Sequence, residues 1–524
     1  LALPHPRLWW PWAHGESALY RADVDVTADE RRSVGLKESF GIRDVMLDSR
    51  AEGWTFAVNG RRIFMRGGNY SSEFFLDAAT PESVKTDVEL AREANMDMLR
   101  LRGHLEIPAL YEEADRTGLL IWQDMPLVAS YVHRADARSR AFFREAALSQ
   151  AEEVVHMLFN HPSVAAYATH HEPPWCKALA WLGERHTEQL NRDIDEEATA
   201  LIKQLDPARP AIVASGDQDQ HLSLHGYRGH WRDLGADNPA FVSEVGAQAL
   251  PNANSPVWRQ LNRSWPIADD DAGWRYAGFH LDEWARSGVG PPSAYPTRDA
   301  YIGASQEYQA HLLRFAIDRL RRQKFAHCGG VLISQLVDPF PAISSAVVDH
   351  ARRPKRAYRT VADAFAPLLL TVDLPEAETA VDGLFIRLPR GRLHHLRILC
   401  VNDDPARGGP ARLRWRVQRE RARDIPWWRA VRGWLTRRRF KGHEWVVIPD
   451  QDDPAAILAE PLVRFHADGL YRISAELEVG DATVALMEQR FLVGRPAAPW
   501  EEVTGGRLDD STLIQDRAPA AARR

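Results

Sequence analysis

The sequence predicts an α/β protein: a (β/α)8 TIM barrel flanked by β-sandwich domains. Three observations predict it. From Trp54 to about Pro367, short apolar runs alternate with amphipathic stretches, the pattern of repeated βα units. On either side of that region the strand-like runs continue, but the helical period is absent. Finally, two apolar runs inside the region each close on a single acid, Glu172 and Glu244, followed by Pro or Gly. Barrel enzymes place their reactive side chains at those strand ends.

The elements follow in chain order. Residues 1–50 hold strand-like runs at Tyr20 to Val26 and Ser33 to Ile42, read as the C-terminal part of a sandwich. Residues 51–367 supply eight barrel strands: Ile63–Arg66, Met98–Leu101, Leu119–Trp122, Val164–Thr169, Ala211–Ala214, His221–His225, Ala240–Ser243 and Val331–Ser334. Helices are predicted at Pro81–Glu93, Ile107–Thr117, Ser139–Phe159, Glu188–Leu205 and Ala304–Arg322. In this count Glu172 follows strand four and Glu244 ends strand seven. Residues 368–494 return to a β pattern, interrupted by a basic insertion at 412–441, and residues 495–524 read as a flexible tail.

Composition narrows the function classes. A chain of 524 residues has room for several domains, one of them a large barrel. Its net charge of −6 gives no global attraction to nucleic acid or membrane. Cys176, Cys328 and Cys400 are too few and too far apart for a disulfide scaffold or a Cys-based zinc site. No apolar run reaches the roughly 18 residues of a membrane span. The chain opens Leu1-Ala-Leu-Pro-His-Pro without an initiator Met, so targeting is not legible and the true N-terminus is expected to lie upstream.

The acids carry the chemistry. Glu172 lies in Ala168-Thr-His-His-Glu172-Pro-Pro-Trp175, and Glu244 in Phe241-Val-Ser-Glu244-Val-Gly. Two carboxylates at the C-terminal ends of parallel strands are what glycoside hydrolysis requires: one protonates the leaving oxygen, the other attacks the anomeric carbon or activates water. The donor must be protonated at rest, so burial and the neighbouring carboxylate are expected to raise Glu172, while Glu244 needs donors that keep it ionised. Arg66 and Arg100, at strand ends one and two, are candidate sources of that positive charge. His225 and Tyr227, at the end of strand six, are candidates to bond the nucleophile or a sugar hydroxyl, and Trp284 to stack on a sugar face.

Several segments jointly resemble family 2 glycoside hydrolases, in the branch of the β-mannosidases and exo-glucosaminidases. They are Leu8-Trp-Trp-Pro with Gly15-Glu-Ser-Ala-Leu-Tyr20 and Phe40-Gly-Ile-Arg43, then Val58-Asn-Gly with Phe64-Met-Arg-Gly-Gly-Asn69. Asn95-Met-Asp-Met-Leu-Arg100, Gly118-Leu-Leu-Ile-Trp-Gln-Asp124 and the two glutamate segments complete the set. The resemblance implies immunoglobulin-like flanking sandwiches, a jelly-roll domain preceding residue 1, a carbohydrate substrate and no cofactor or metal. It also implies a retaining double displacement, with Glu172 as acid/base and Glu244 as nucleophile. Three places depart from the family pattern. His171 stands where an Asn normally holds the 2-hydroxyl; an imidazole N–H donates the same bond with different reach. The run after Arg100 reads Leu-Arg102-Gly-His104, and the eighth strand is followed by Ser334-Gln-Leu-Val-Asp-Pro-Phe340. Aromatic platforms are thus missing, which weakens mannose specificity, and Arg102 would favour an acidic or substituted sugar.

Other readings have their own signatures. His170, His171 and Glu172 lack the second His of the zinc-protease helix, since Trp175 occupies that place and Pro173 and Pro174 break a helix. A non-catalytic glycan-binding protein on a degenerate barrel is the alternative that the altered pocket favours and the two retained glutamates oppose. The segment 412–441 interleaves Arg with Trp427, Trp428 and Trp434: either a hairpin with a solvated Arg face, or a weak contact for membrane or polyanion. No nucleic-acid module accompanies it.

Overall fold

In the computed structural model the chain begins with two small antiparallel sheets. Strands β1 (Tyr20–Ala28) and β2 (Arg31–Phe40) form a hairpin, while β3 (Val45–Asp48), β4 (Thr55–Val58) and β5 (Arg61–Ile63) form a three-stranded meander. The structure describes residues 3–28, 31–49, 54–128, 136–173, 175–176, 191–217, 219–223, 238–259, 261, 264–268, 271–279, 289–375, 386–420 and 440–494. The chain divides into two units, Leu1–Ala366 and Pro367–Arg524.

Eight parallel strands then build one curled sheet: β6 (Met65–Tyr70), β7 (Met98–Leu101), β8 (Leu120–Asp124), β9 (Val164–His171), β10 (Ala211–Ser215), β11 (Gln220–Ser223), β12 (Val242–Gly246) and β13 (Gly330–Ile333). Their order is β10-β9-β8-β7-β6-β13-β12-β11, so the first strand pairs with the last, as in a barrel. All eight predicted strands are found, with shifted ends. The first begins at Met65 rather than Ile63, because Ile63 pairs with Phe56 in the meander. Burial of β6 on both faces explains why its run looks continuous rather than alternating.

The crossovers are less regular than predicted. Only residues 216–219 separate β10 from β11, whereas a parallel crossover takes a dozen or more. No ladder joins these two strands among the described residues, and the sheet has a seam there. Helices return the chain from β6 through to β10 and from β12 to β13, and one follows β13: α1 (Pro81–Glu93), α2 (Pro108–Thr117), α3 (Ala137–Leu158), α4 (Arg192–Leu205), the short α5 (Ala272–Tyr276), α6 (Arg298–Arg322) and α7 (Arg356–Ala364). Their ends have local causes. Thr80 and Ser83 form a reciprocal capping box on α1, and Gly118 takes the left-handed conformation (φ 75°) that stops α2. Helix α6 starts before the predicted Ala304 because the Thr297 side chain caps it.

The meander sets which end of the barrel is open. Trp54, just before β4, and Phe56 on it meet Trp122 and Phe241 with ring centroids 6.0–6.4 Å apart. These rings share a core with Met65, Met98 and Leu120, which start β6, β7 and β8. An apolar plug therefore fills the N-terminal end, and polar chemistry is left to the C-terminal end.

In the second unit, strands β14 (Leu368–Asp373), β15 (Arg387–Leu388), β16 (Leu393–His395), β17 (Arg397–Asn402), β18 (Gly409–Arg419), β19 (Phe440–Ile448), β20 (Ala456–Ala459), β21 (Leu462–Arg464), β22 (Gly469–Val479) and β23 (Ala482–Val493) make three sheets. Leu370 and Cys400 from one sheet share a core with Leu413, Ile473 and Phe491 from another. On β18, Ala411, Leu413 and Val417 turn inward while Arg412, Arg414 and Arg416 turn out, and Arg414 pairs with Glu478. The Trp-rich part of the basic insertion, with Trp427, Trp428 and Trp434, lies outside the described residues, as does the predicted tail.

Candidate active site

Polar residues from seven consecutive barrel strands or their ends meet at the open face. Asn69 comes from β6, Arg100 from β7, Asp124 from β8, His171 from β9, Ser215 from β10, His221 from β11 and Glu244 from β12. Glu244 lies mid-strand rather than at the predicted end. The ladder continues past it, pairing Val245 with Leu222 and Ile333. Gly246 permits this, since a Cβ there would come within 2.5 Å of the Ser334 carbonyl oxygen.

Two guanidinium groups hold Glu244. Arg100 Nη1 donates to Oε1 at 3.2 Å and Arg102 Nη1 to Oε2 at 3.1 Å. Burial alone would raise this carboxyl, but the charges of Arg102, His221 and Arg100 outweigh it and hold it well below the carboxylate range. Arg100 is fully buried and is itself fixed from several sides. It donates to Asp124 at 2.7 Å, Ser215 Oγ at 2.6 Å and Asn69 Oδ1 at 3.2 Å. Burial disfavours its charge, yet Asp124 and Glu244 more than compensate, so it stays protonated. Arg102 is half-buried, and its second nitrogen reaches Gln335 Oε1 at 3.1 Å.

Glu172 is built differently. It follows the last residue of β9 with φ 48°, in the left-handed region that costs a non-glycine residue about 1–3 kcal/mol. Its backbone N–H donates to the Ser215 carbonyl at 3.2 Å, across to β10. Its Oε1 lies 2.6 Å from His221 Nδ1, on the far side of the β10–β11 seam. His221 in turn stands opposite Glu244 in the β11–β12 register, and its Nε2 lies 3.6 Å from Asp219 Oδ2. Asp219 is anchored by the Gly216 N–H at 2.7 Å and by the Ser243 hydroxyl.

The protonation pattern corrects the expectation for Glu172. Burial pushes its carboxyl up, but the hydrogen bond and charge of His221 push it down further, below the ordinary value. Burial also disfavours a charged His221; against that, Glu244, Asp219 and Glu172 raise it to about 10. At neutral pH the pair is therefore carboxylate and imidazolium. Asp219 is held to about 2, burial being outweighed by His221 and Arg100.

The other predicted site residues separate. His171 is buried at the mouth, with Nδ1 3.0 Å from Arg100 Nη2. A guanidinium only donates, so Nδ1 accepts and the ring proton belongs on Nε2. His170 faces the other side of β9 and bonds Asp195 of α4 at 2.9 Å, so strand alternation parts the two histidines. Arg66 is in a different network: Nε and Nη2 grip Asp97 at 2.7 and 2.9 Å, and Nη1 donates to the Phe365 carbonyl at 2.7 Å. Its guanidinium is committed to structure rather than to the site, because it is the second residue of β6, not the last. His225, Tyr227 and Trp284 lie outside the described residues.

Sequence reasoning missed Asn69, Asp124, Ser215, Asp219 and His221 as site residues. Asn69 and Asp124 stood in quoted motifs without a role. His221 opens the sixth predicted strand, whereas the roles were given to His225 and Tyr227 at its far end, which lie outside the described residues.

Residues 50–228 match the model of the glycosyl hydrolases family 2 TIM barrel domain. Over that stretch the chain is similar to family 2 glycoside hydrolases. Among curated proteins, the chain is 25% identical over 445 residues to β-mannosidase B of Aspergillus niger, covering 78% of the chain and 51% of the relative. It is 25% identical over 412 residues to β-mannosidase B of Emericella nidulans, covering 70% and 47%. The chain thus spans about half the length of these relatives. Among solved structures, the β-D-mannosidase of Dictyoglomus thermophilum superposes with TM-score 0.77 at 22% identity, covering 94% of this chain and 58% of that one. The exo-chitosanase of Amycolatopsis orientalis gives 0.70 at 15%, covering 94% and 56%. At those identities the structures share the fold.

Proposed function

We propose that the protein is a retaining glycosidase acting on a β-O-glycoside, with β-mannosides the first substrates to try. Glu244 is the nucleophile and Glu172 the acid/base. One observation carries the reading: a carboxylate held ionised by Arg100 and Arg102 faces, through His221, a second carboxylate with a proton at hand.

In the first half of the reaction a Glu244 oxygen bonds the anomeric carbon while the leaving oxygen departs with a proton from Glu172. Arg100 and Arg102 fix the attacking carboxylate, so little reorganisation is needed at the moment of attack. In the second half Glu172 removes a proton from water, which displaces Glu244. His171, with Nε2–H as donor, takes the place of the usual Asn at the sugar 2-hydroxyl. Arg102 is engaged with Glu244 and Gln335, which favours a role on the nucleophile over recognition of an acidic sugar. The flanking sheets fit immunoglobulin-like sandwiches, and the outward Arg412, Arg414 and Arg416 of β18 support the solvated hairpin face over a membrane or polyanion contact for that part of 412–441.

The test is turnover of aryl β-mannoside, glucosaminide, galactoside, glucoside and glucuronide by the wild type, Glu244→Ala and Glu172→Ala. We expect one neutral or amino sugar to be cleaved, with kcat reduced roughly 10⁴-fold or more by Glu244→Ala. Azide should rescue both variants, giving the inverted α-glycosyl azide with Glu244→Ala and the retained β-glycosyl azide with Glu172→Ala. A folded wild type that binds glycans and turns over none of them overturns the enzyme reading in favour of a glycan-binding module.

A further inference from the structure

Resting on that reading, we propose that His221 is a positioning residue that stores the proton Glu172 delivers and surrenders it as Glu244 is consumed. The geometry leads here. His221 is the side chain that touches one glutamate and faces the other: Nδ1 is 2.6 Å from Glu172, and the residue lies beside Glu244 on the adjacent strand. It is nearly buried, so no water competes for its Nδ1 proton.

The groups around it set the balance. Glu172 faces it from the end of β9, Glu244 from β12 and Asp219 from the loop before β11. Opposing them are the guanidinium groups of Arg100 and Arg102 beyond Glu244, while the His171 ring lies 5.7 Å away. Asp124 is paired to Arg100 and so is largely neutralised. Apart from burial, which opposes it, the charge of Glu244 is the leading cause of His221's raised affinity for a proton.

That charge disappears during the reaction. When Glu244 bonds the anomeric carbon it becomes a neutral ester, while Arg100, Arg102 and His171 stay where they are. His221 then loses its principal support, and its Nδ1 proton passes to Glu172 Oε1. The glycosidic C–O bond breaks, its electron pair stays on the leaving oxygen, and that oxygen takes the proton from Glu172. Glu172 is left as carboxylate and His221 as neutral imidazole. In the return half, water oxygen bonds the anomeric carbon and the ester C–O electrons go back to Glu244. The water proton reaches Glu172 and then His221, restoring the starting state. Proton delivery is thus timed by nucleophilic attack, and the resting acid/base need not be protonated.

Two measurements on the full chain test this. The first needs no substrate: His221 is titrated by NMR with 15N-labelled histidine, in wild type and Glu244→Gln. We expect imidazolium at pH 8 in the wild type and a midpoint lower by more than about one pH unit in the variant. The second is the pH profile of kcat/KM for His221→Asn, which keeps a donor toward Glu172 but cannot titrate. Its alkaline limb should move down by about two units, and alkyl glycosides should slow more than dinitrophenyl ones. Equal His221 midpoints, or an unmoved alkaline limb in an active variant, overturn the proton store and leave the glycosidase intact. A coupled His221 in a protein without turnover sinks the glycosidase reading and the delivery step with it.

Discussion

Two buried arginine–aspartate pairs sit on neighbouring barrel strands, and only one of them belongs to the site. Arg66 on β6 is gripped by Asp97 and donates to a main-chain carbonyl. Arg100 on β7 is gripped by Asp124 just as closely, yet keeps one nitrogen for Glu244. The residue types and the burial are the same. What differs is depth along the strand: Arg66 is second in a six-residue strand that ends at Tyr70, whereas Arg100 pairs with Asn69 at the level of the mouth. Position within the barrel, more than chemistry, decides which ion pair is structural and which is functional.

The sharpest way to break this comparison is to replace each arginine by lysine, which keeps the charge and loses the fork. Arg100→Lys should lower kcat/KM by about 10²–10³-fold, the usual loss when a preorganised donor is removed. Arg66→Lys should leave kcat/KM within about threefold while lowering unfolding free energy by about 2–3 kcal/mol, because a buried carboxylate loses part of its pairing. Steady-state kinetics and urea denaturation on both variants would check this. Equal kinetic losses would contradict the division between the two pairs.

These two pairs also show what was legible in the sequence. All eight barrel strands could be read, because continuous apolar runs bounded by Gly, Pro and capping residues have few other outcomes. Glu172, Glu244, Arg100 and His171, which the structure brings together, could be singled out because each sits in a motif near a strand end. Arg66 was misassigned for the same reason: a strand drawn from Ile63 to Arg66 makes residue 66 an end, and the described strand runs on to Tyr70. His221 was missed because the sixth strand's roles were sought at its far end, in His225 and Tyr227. A two- or three-residue error in a strand boundary hardly alters the fold, but it exchanges site for scaffold. The protonation of Glu172 was illegible for a different reason. It depends on a contact between residues 172 and 221 across a seam that no local pattern reveals.

pH sharpens the comparison next. His221 is raised from its usual value near 6.5 to about 10, so its stabilising contribution is complete below the unfolded value and is lost as pH rises toward 10. The urea midpoint of the wild type should therefore decline between pH 7 and 10. His221→Asn should show a shallower decline over the same window, and parallel curves would argue against a stabilised imidazolium.

Smaller effects test the rim of the site. His171→Ala should reduce kcat/KM by about tenfold to a hundredfold by removing a donor to the sugar. His171→Asn should recover most of it, since the amide supplies the same donor. An alanine variant as active as the asparagine one would remove His171 from substrate contact. At the bottom of the scale, Arg414→Ala on the second unit removes a half-exposed guanidinium from its pair with Glu478 and should change stability by about 1 kcal/mol or less and activity not at all.

The most direct test of the central claim is to trap the intermediate. The protein is incubated with a 2-deoxy-2-fluoro glycoside of whichever sugar the panel shows to be cleaved, then digested and mapped by mass spectrometry. The account predicts time-dependent inactivation with one sugar attached to Glu244. A label on another carboxylate, or turnover of the parent glycoside with inversion and no label, would contradict it.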